Sequence, residues 1–299
     1  MDQAEQLRNI IKANNTVVRP TARVITVTSG KGGVGKSNTS INLAIWFKRM
    51  GQRVIILDAD FGLANIEIMF GTVPRHNLCD LLYQGKSITD IITWGPGEVG
   101  FISGGSGIVG LSNLSREYLG YIVQNLAQLD ALADVIIIDT GAGISDAVLE
   151  FLVASGEILL VTTPEPTSIT DSYSLLKALA RHSRFSPENS QVKMIANKVE
   201  NAAEGQALYN KLNAVVARYL KLPVGYLGAV PEDSLLSKAV MQQMPVSIQS
   251  PGAKSALAYE AIAHTLMNKE IVKTVKKRGM AAFFSHIVVG KKAKESNNN

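Results

Sequence analysis

The chain has 299 residues, of which 46% are hydrophobic, and a formal net charge of +5 at pH 7. A chain of this length can bury a substantial core, and we expect one large domain rather than two small ones. The single cysteine, Cys79, excludes an internal disulfide and a multi-cysteine metal or iron–sulfur site within one chain, which is typical of a reducing compartment. The polar amino terminus and the lack of a long apolar stretch predict a cytoplasmic protein.

Short β-branched runs alternate with longer segments of helical period along the chain. The predicted strands are residues 24–28, 54–57, 135–138, 158–162, 193–196 and 224–229. The predicted helices are residues 38–50, 116–132, 168–182, 206–219 and 253–269. Several of these strands are continuously apolar, as strands buried on both faces are. We therefore predict an α/β fold, a doubly wound and mostly parallel sheet with helices on both faces.

Three segments are predicted along the chain. Residues 1–21 form a short arm, residues 22–270 form the α/β domain, and residues 271–299 form a basic tail. Residues 275–294 hold six lysines and arginines and no acidic residue, more than the net charge of the whole chain. The basicity is therefore local, and it indicates that the tail contacts an anionic surface.

A phosphate-binding loop follows the first predicted strand and opens the first predicted helix. Gly30, Gly35, Lys36 and Ser37 fill the fixed positions of the pattern G-x-x-x-x-G-K-[ST]. Backbone N–H groups of such a loop cradle phosphate oxygens, the lysine reaches the β- and γ-phosphates, and the serine hydroxyl binds Mg²⁺. The alternative is a glycine-rich turn without a ligand. The residues assigned to the nucleotide are Gly30, Lys31, Gly32, Gly33, Val34, Gly35, Lys36, Ser37 and Asn38.

Carboxylates follow two further strands. Asp139 ends an apolar strand, where it can hold Mg²⁺ through water. Asp58 and Asp60 end another strand two residues apart, so they point the same way, toward the carboxyl edge where ligands of open α/β sheets bind. We assign Asp58 to cofactor binding and Asp60 to orienting or activating the attacking water. The alternative for Asp60 is a cap on the next helix.

The motifs KGGVGKS, DADFGLAN and IIIDTGAG resemble those of the deviant-Walker P-loop ATPases of the MinD/ParA type, over residues 23–269. Within that family, DQAEQLR and IDTGAGIS resemble the FlhG group (also called YlxH or FleN), which regulates flagellar number and placement. The resemblance implies a MinD-like P-loop fold, ATP and Mg²⁺ as cofactors, and a homodimer in the ATP state. It implies that Lys31 contacts the phosphates of the partner subunit, and that Asp171 lies near the pocket and interface and pairs with Lys31. A cation aimed at the transferred phosphoryl group is what an arginine finger provides, so a monomer would hydrolyse slowly.

The family resemblance also assigns residues to the base. It implies that Asn197 contacts adenine and that the segment with Pro231 and Glu232 closes over it. The stretch ANKVE resembles the N-K-x-D signature for guanine, with Glu200 in place of the aspartate. The extra methylene of glutamate displaces the carboxylate, so this departure favours ATP over GTP.

The arm carries a second predicted function. Asp2 can cap a short helix that has Leu7 on its apolar face and Gln3 and Arg8 on its polar face. The resemblance implies that this segment stimulates FlhF, a signal-recognition-type GTPase, and that the glutamine reaches its catalytic site. The alternative is an ordinary docked or disordered arm.

The tail carries an apolar stripe between basic flanks. The stripe consists of Met280, Phe283, Phe284, Ile287 and Val288, which recur at i, i+3, i+4, i+7 and i+8. This pattern is typical of a helix that lies in the interface of an anionic membrane, and we expect reversible attachment to the cytoplasmic face of the cell membrane. The alternative is a last helix packed on the domain.

These assignments predict an ATP-driven switch that regulates the number, placement and assembly of flagella. Flagellar switch-ring proteins are further expected partners. The first alternative is a ParA-like DNA-partitioning ATPase, which the apolar stripe disfavours because DNA binding needs cations but no apolar face. The second is a metal-cluster carrier, which Cys79 disfavours because one thiolate per subunit leaves a shared cluster short of four ligands.

Overall fold

The computed structural model describes residues 21–60, 65–105, 116–268 and 279–296, except for the side chains of residues 116–120 and 288–296. The predictions for Asp2, Gln3, Leu7 and Arg8 lie outside the described residues, and so does the side chain of Val288. No helix in the described part of the chain combines the length and apolarity needed to cross a bilayer.

In the described ranges, eight strands form one sheet in the order β3-β4-β2-β5-β1-β6-β7-β8. All neighbouring pairs are parallel except β3 and β4, which are antiparallel at one edge. The strands are β1 (Arg23–Thr28), β2 (Val54–Ala59), β3 (Thr93–Trp94), β4 (Gly100–Ile102), β5 (Val135–Thr140), β6 (Glu157–Thr162), β7 (Gln191–Val199) and β8 (Val224–Pro231).

Helices cover both faces of the sheet. Consecutive residues of β2 belong to different apolar clusters, since Ile55 packs with one cluster and Ile56 with another, as the alternation of a strand requires. The helices are α1 (Lys36–Arg49), α2 (Asn65–Phe70), α3 (Leu78–Tyr83), α4 (Arg116–Leu126), α5 (Leu129–Leu132), α6 (Asp146–Ala154), α7 (Pro166–Arg181), α8 (Ala202–Leu220), α9 (Ser234–Met241), α10 (Val246–Gln249), α11 (Lys254–Met267) and α12 (Gly279–Ser296). The predicted fold class, a doubly wound and mostly parallel α/β sheet, is confirmed.

The shorter elements were not predicted from the sequence. Helices α2, α3, α6, α9 and α10 have four to nine residues, and strands β3 and β4 have two and three. Elements of this length show too few repeats for a period to be recognised. The predicted helix 116–132 is two helices, α4 and α5.

A buried ionic network ties the sheet together at the edge opposite the loops described below. Arg23 donates from Nε and Nη2 to the carboxylate of Glu157 at 2.8 Å, and Lys193 Nζ donates to it at 2.7 Å. Arg23 also donates to the backbone carbonyl of Leu266, near the end of α11. Burial of Glu157 alone would raise its pKa, but these cations hold the pKa below its usual value. The network therefore fixes the starts of β1, β6 and β7 and the end of α11 relative to one another.

The apolar stripe of α12 packs against the domain in this structure. Met280, Phe283, Phe284 and Ile287 are all buried. The Phe283 ring stacks on Phe151 of α6 with a centroid distance of 6.0 Å. The structure therefore has the packed arrangement that we considered as the alternative for this stripe, and the first turns of the basic tail contribute to the core. Insertion of these side chains into a membrane, as predicted from the sequence, would require α12 to leave this position.

Candidate nucleotide site

The predicted site residues meet at the carboxyl edge of the sheet. Asp58 of β2 is paired in register with Asp139 of β5, and β5 is the neighbour of β1, from which the phosphate loop starts. Asn197 lies in β7 and Pro231 ends β8 at the same edge. The parallel order of the strands thus collects residues that are far apart in the chain, as in other open α/β sheets.

The glycines of the phosphate loop are required by close contacts and by backbone conformation. A Cβ atom on Gly30 would lie 2.2 Å from the backbone carbonyl carbon of Asp171, and one on Gly35 would lie 2.2 Å from Nδ2 of Asn197. Gly33 and Gly35 have φ angles of 74° and 98°, in the left-handed region. Gly32 faces open space. The loop is therefore packed against neighbouring segments at Gly30 and Gly35 and open at Gly32.

The start of α1 suits an anionic ligand. Its N-cap residue, Gly35, supplies no side-chain acceptor for the N–H groups of the first turn. These groups and the helix dipole favour a phosphate, so the residues present fit a nucleotide. Lys36, the first residue of α1, is 8% exposed. Burial lowers its pKa, and Asp139 and Asp60 oppose that effect.

Ser37 and Asp139 form the candidate Mg²⁺ site. Ser37 Oγ donates to Asp139 Oδ2 at 2.6 Å, and Ser40 Oγ donates to Oδ1 at 2.8 Å. Burial raises the pKa of Asp139 to about 6, against these hydrogen bonds and Lys36. In the described part of the chain, no group of three or more His, Cys, Asp or Glu is arranged to hold a metal. Two protein oxygens nevertheless fit Mg²⁺, because it usually keeps several waters and binds substrate phosphates.

Asp58 and Asp60 occupy different positions at the end of β2. Asp58 is buried, and it accepts the backbone N–H groups of Asp60 and Ile66, each at 3.2 Å. Burial and the nearby Asp139 raise the pKa of Asp58 to about 8. Asp58 thus bonds to the first turn of α2, the role that we considered as the alternative for Asp60. Asp60 instead accepts from Asn65 Nδ2 at 3.3 Å, and its Oδ1 lies 3.4 Å from where a Cβ on Gly141 would be.

The Lys31 side chain lies at the rim of the site. Its Nζ donates to Glu165 Oε2 at 2.6 Å and to Thr167 Oγ1 at 2.9 Å, and the Lys31 and Glu165 side chains are 36% and 56% exposed. This corrects the expected pairing with Asp171, whose backbone packs against Gly30 instead. Glu165 and Thr167 were not predicted as site residues, although both follow β6 at the edge where ligands bind.

Residues of the predicted base-binding strand hold the phosphate loop. Asn197 Nδ2 donates to the Val34 carbonyl at 2.7 Å, and Lys198 Nζ donates to the Gly33 carbonyl at 2.9 Å. The backbone N–H of Glu232 donates to the Val199 carbonyl at 2.9 Å, which brings the end of β8 beside this strand. Lys198 was not predicted as a site residue, although it follows Asn197 directly in the stretch ANKVE.

The fold and this loop define a P-loop nucleotide-binding protein of the doubly wound α/β class. Residues 25–246 match the CbiA family, described as the CobQ/CobB/MinD/ParA nucleotide binding domain, and the chain belongs to this family. The family resemblance found in the motifs is therefore confirmed.

Two relatives are similar to this chain over most of its length. The chain is 39% identical to the antiactivator FleN of Pseudomonas aeruginosa over 241 residues, which cover 81% of this chain and 85% of FleN. It is 33% identical to the flagellum site-determining protein YlxH of Helicobacter pylori over 295 residues, which cover 96% of this chain and 98% of YlxH. Both names belong to the group that the DQAEQLR and IDTGAGIS motifs resemble.

A solved structure shows the same fold. The septum site-determining protein MinD of Pyrococcus horikoshii, complexed with Mg-ADP, superposes with a TM-score of 0.65 at 22% identity, over 84% of this chain and 98% of MinD. At this identity the likeness concerns the fold alone.

The first prediction separates two roles for Asn197. If its contact with the phosphate loop matters most, Asn197→Ala leaves the buried Val34 carbonyl without its donor and weakens ATP and GTP binding alike, by about tenfold. If its main role is adenine recognition, only ATP binding weakens. Isothermal titration with both nucleotides distinguishes the two. Asn201→Ala is the matched control, because Asn201 accepts the N–H of Glu204 at the start of α8.

Proposed function

We propose that this chain is a Mg²⁺-dependent ATP hydrolase that dimerises in its ATP state and regulates the number, placement and assembly of flagella. The observation that carries the proposal is the arrangement of two lysines in one loop. Lys36 is buried near Asp139 and Asp60, whereas Lys31 lies at the rim and pairs there with Glu165 and Thr167. The flagellum site-determining protein YlxH and FleN, whose names belong to the group that the sequence motifs resemble, support the biological assignment.

Each residue at the carboxyl edge has a chemical task in this proposal. The loop amides and Lys36 bind phosphate oxygens and orient the γ-phosphoryl group. Ser37 and Asp139 would hold Mg²⁺, which when bound supplies positive charge near the transferred group. Asp60 stands nearer the solvent than Asp58 and orients the attacking water, while Asp58 holds the start of α2.

Lys31 completes the site in trans under this proposal. To reach the partner's phosphates, it must leave Glu165 and Thr167. Both side chains of this ion pair are solvent-exposed, so water screens their attraction and the contact is a small barrier to dimer formation. A monomer lacks the partner's lysine and therefore hydrolyses ATP slowly.

The tail links nucleotide state to location in the proposed cycle. The apolar side chains of α12 that pack on the domain are the ones suited to insertion into the acyl boundary of a membrane. One short helix binds a membrane weakly, but two helices on one ATP dimer act through effective concentration. We therefore propose a cytoplasmic protein that attaches reversibly to the cell membrane after α12 undocks.

The proposed partners are a second copy of the chain, an FlhF-type GTPase, flagellar switch-ring proteins and an anionic membrane surface. We propose no nucleic-acid partner. The DNA-partitioning alternative has support from fold alone, since the ParA family ATPase of Chlorobium tepidum superposes with a TM-score of 0.65 at 19% identity.

The second prediction concerns hydrolysis and dimerisation. Asp60→Ala keeps the phosphate contacts, so ATP still binds while hydrolysis falls by about 100-fold and the dimer persists. Lys36→Ala loses nucleotide binding, and Lys31→Ala loses dimerisation and turnover together. Phosphate release and chromatographic size in ADP, ATP and a non-hydrolysable analogue measure these effects. Lys48→Ala, at the far end of α1, is the control, and wild-type turnover by Asp60→Ala would refute the role of Asp60.

The third prediction concerns the membrane. Sedimentation with anionic liposomes is stronger in ATP than in ADP, decreases with salt, and is lost in Phe283→Glu. Ser285→Glu adds the same charge away from the apolar stripe and keeps most of the binding. Equal sedimentation of the full chain and a chain truncated after Lys273 would show that α12 serves only to pack on the domain.

The fourth prediction concerns the arm. We propose that residues 1–20 stimulate GTP hydrolysis by FlhF, with Gln3 orienting the attacking water as glutamine does in other GTPases. Gln3→Ala then abolishes the stimulation and leaves this chain's own ATP hydrolysis unchanged. Failure of a peptide of residues 1–20 to raise GTP turnover at saturation would count against the proposal.

A further inference from the structure

One carboxylate contacts both ends of the folded domain. Asp130, on the short helix α5, accepts the backbone N–H of Ala22 on Oδ1 at 3.3 Å. The same carboxylate accepts the N–H of Met280 at 2.9 Å on Oδ1 and 3.1 Å on Oδ2. Ala22 is where the chain enters the domain from the arm, and Met280 is the second residue of α12. Asp130 therefore joins two segments more than 250 residues apart in the sequence.

The backbone of α12 is shaped for this contact. Gly279 has a φ of 59°, and a Cβ atom there would lie 2.6 Å from Asp130 Oδ2. A carboxylate at a helix N-terminus also interacts favourably with the helix dipole. Only glycine thus allows Asp130 to approach the start of α12 so closely.

The two ends also share one apolar cluster. Ala22 is 1% exposed and Met280 is 0% exposed, and both belong to the cluster that α12 covers. Burial raises the pKa of Asp130 despite its backbone hydrogen bonds, so the carboxylate loses hydration when α12 docks. Departure of α12 would return water to this carboxylate and expose Ala22.

We propose that Asp130 couples the N-terminal arm to the C-terminal helix, so that release of α12 loosens the entry of the arm into β1. Coupling between two sites is reciprocal, so a partner that binds the arm also changes how tightly α12 docks. This inference deepens the proposed release of α12: it makes the arm and the tail respond together.

A second contact between α12 and the rest of the domain provides the control, because it does not involve Ala22. Arg184 donates from Nη1 to the backbone carbonyl of His286 at 2.6 Å, and it pairs with Glu150 of α6. Arg184→Gln therefore weakens the docking of α12 from its middle and leaves Asp130 intact.

Hydrogen–deuterium exchange on the full-length chain tests the coupling without liposomes or a partner GTPase, so its result is independent of the proposed function. The variants are Asp130→Asn, Arg184→Gln and their combination. We expect Asp130→Asn to raise exchange about tenfold in both residues 21–24 and 279–287, since asparagine removes the charge and leaves a single, weaker acceptor oxygen for both ends. We expect Arg184→Gln to raise exchange at 279–287 and, through release of Asp130, at 21–24.

The combined variant decides the inference. If Asp130 carries the coupling, Arg184→Gln has a much smaller effect on residues 21–24 when residue 130 is asparagine. An effect of the same factor in both backgrounds would overturn the proposal, and so would a change confined to one end in Asp130→Asn. Gly279→Ala disturbs the same contact from the side of α12, and it keeps the test valid if Asp130→Asn does not fold.

Discussion

The close approach of two chain segments to the phosphate-loop glycines is the constraint on which the site depends. The backbone of α7 lies against Gly30, and the Asn197 side chain of β7 lies against Gly35, each at 2.2 Å from where a Cβ would be. The loop can take this form only when β1, β6 and β7 are neighbours in the sheet. The phosphate cradle, the rim that holds Lys31 and the start of the base-binding region are consequently built as one unit.

The electrostatics of the site follow from the same register. Pairing of β2 with β5 sets Asp58 beside Asp139, and Asp60 follows within the same group around Lys36. Three carboxylates against one buried lysine leave an excess of negative charge, and burial together with repulsion from a neighbouring carboxylate raises the pKa of Asp58 and Asp139. A bound divalent cation would offset that excess, and phosphates would be attracted to Lys36 and the helix N-terminus. Nucleotide and Mg²⁺ therefore complement the site together.

In the proposed cycle, the same apolar side chains of α12 contact either the domain or a membrane. Met280, Phe283, Phe284 and Ile287 are buried on the domain, and burial of each such side chain contributes roughly 1.5–3 kcal/mol. A membrane can offer a similar gain to the same side chains, with the flanking lysines adding about 1 kcal/mol each at an anionic surface. In the proposed cycle, docking and membrane insertion therefore use the same side chains, and contacts such as those of Asp130 and Arg184 would favour docking.

The sequence by itself determined the fold class, the phosphate loop and the family, because these are local patterns. Strand and helix periods repeat within a few residues, and a phosphate cradle is made of consecutive backbone groups. The tertiary structure decided which side chains meet across long separations. Lys31 pairs with Glu165 across 134 positions, Asn197 holds Val34 across 163, and Asp130 caps α12 across 150. The tertiary structure also decided what covers the stripe of α12. A helical period shows that one face is apolar, but the hydrophobic effect is not directional, so the sequence pattern does not identify the surface that buries this face.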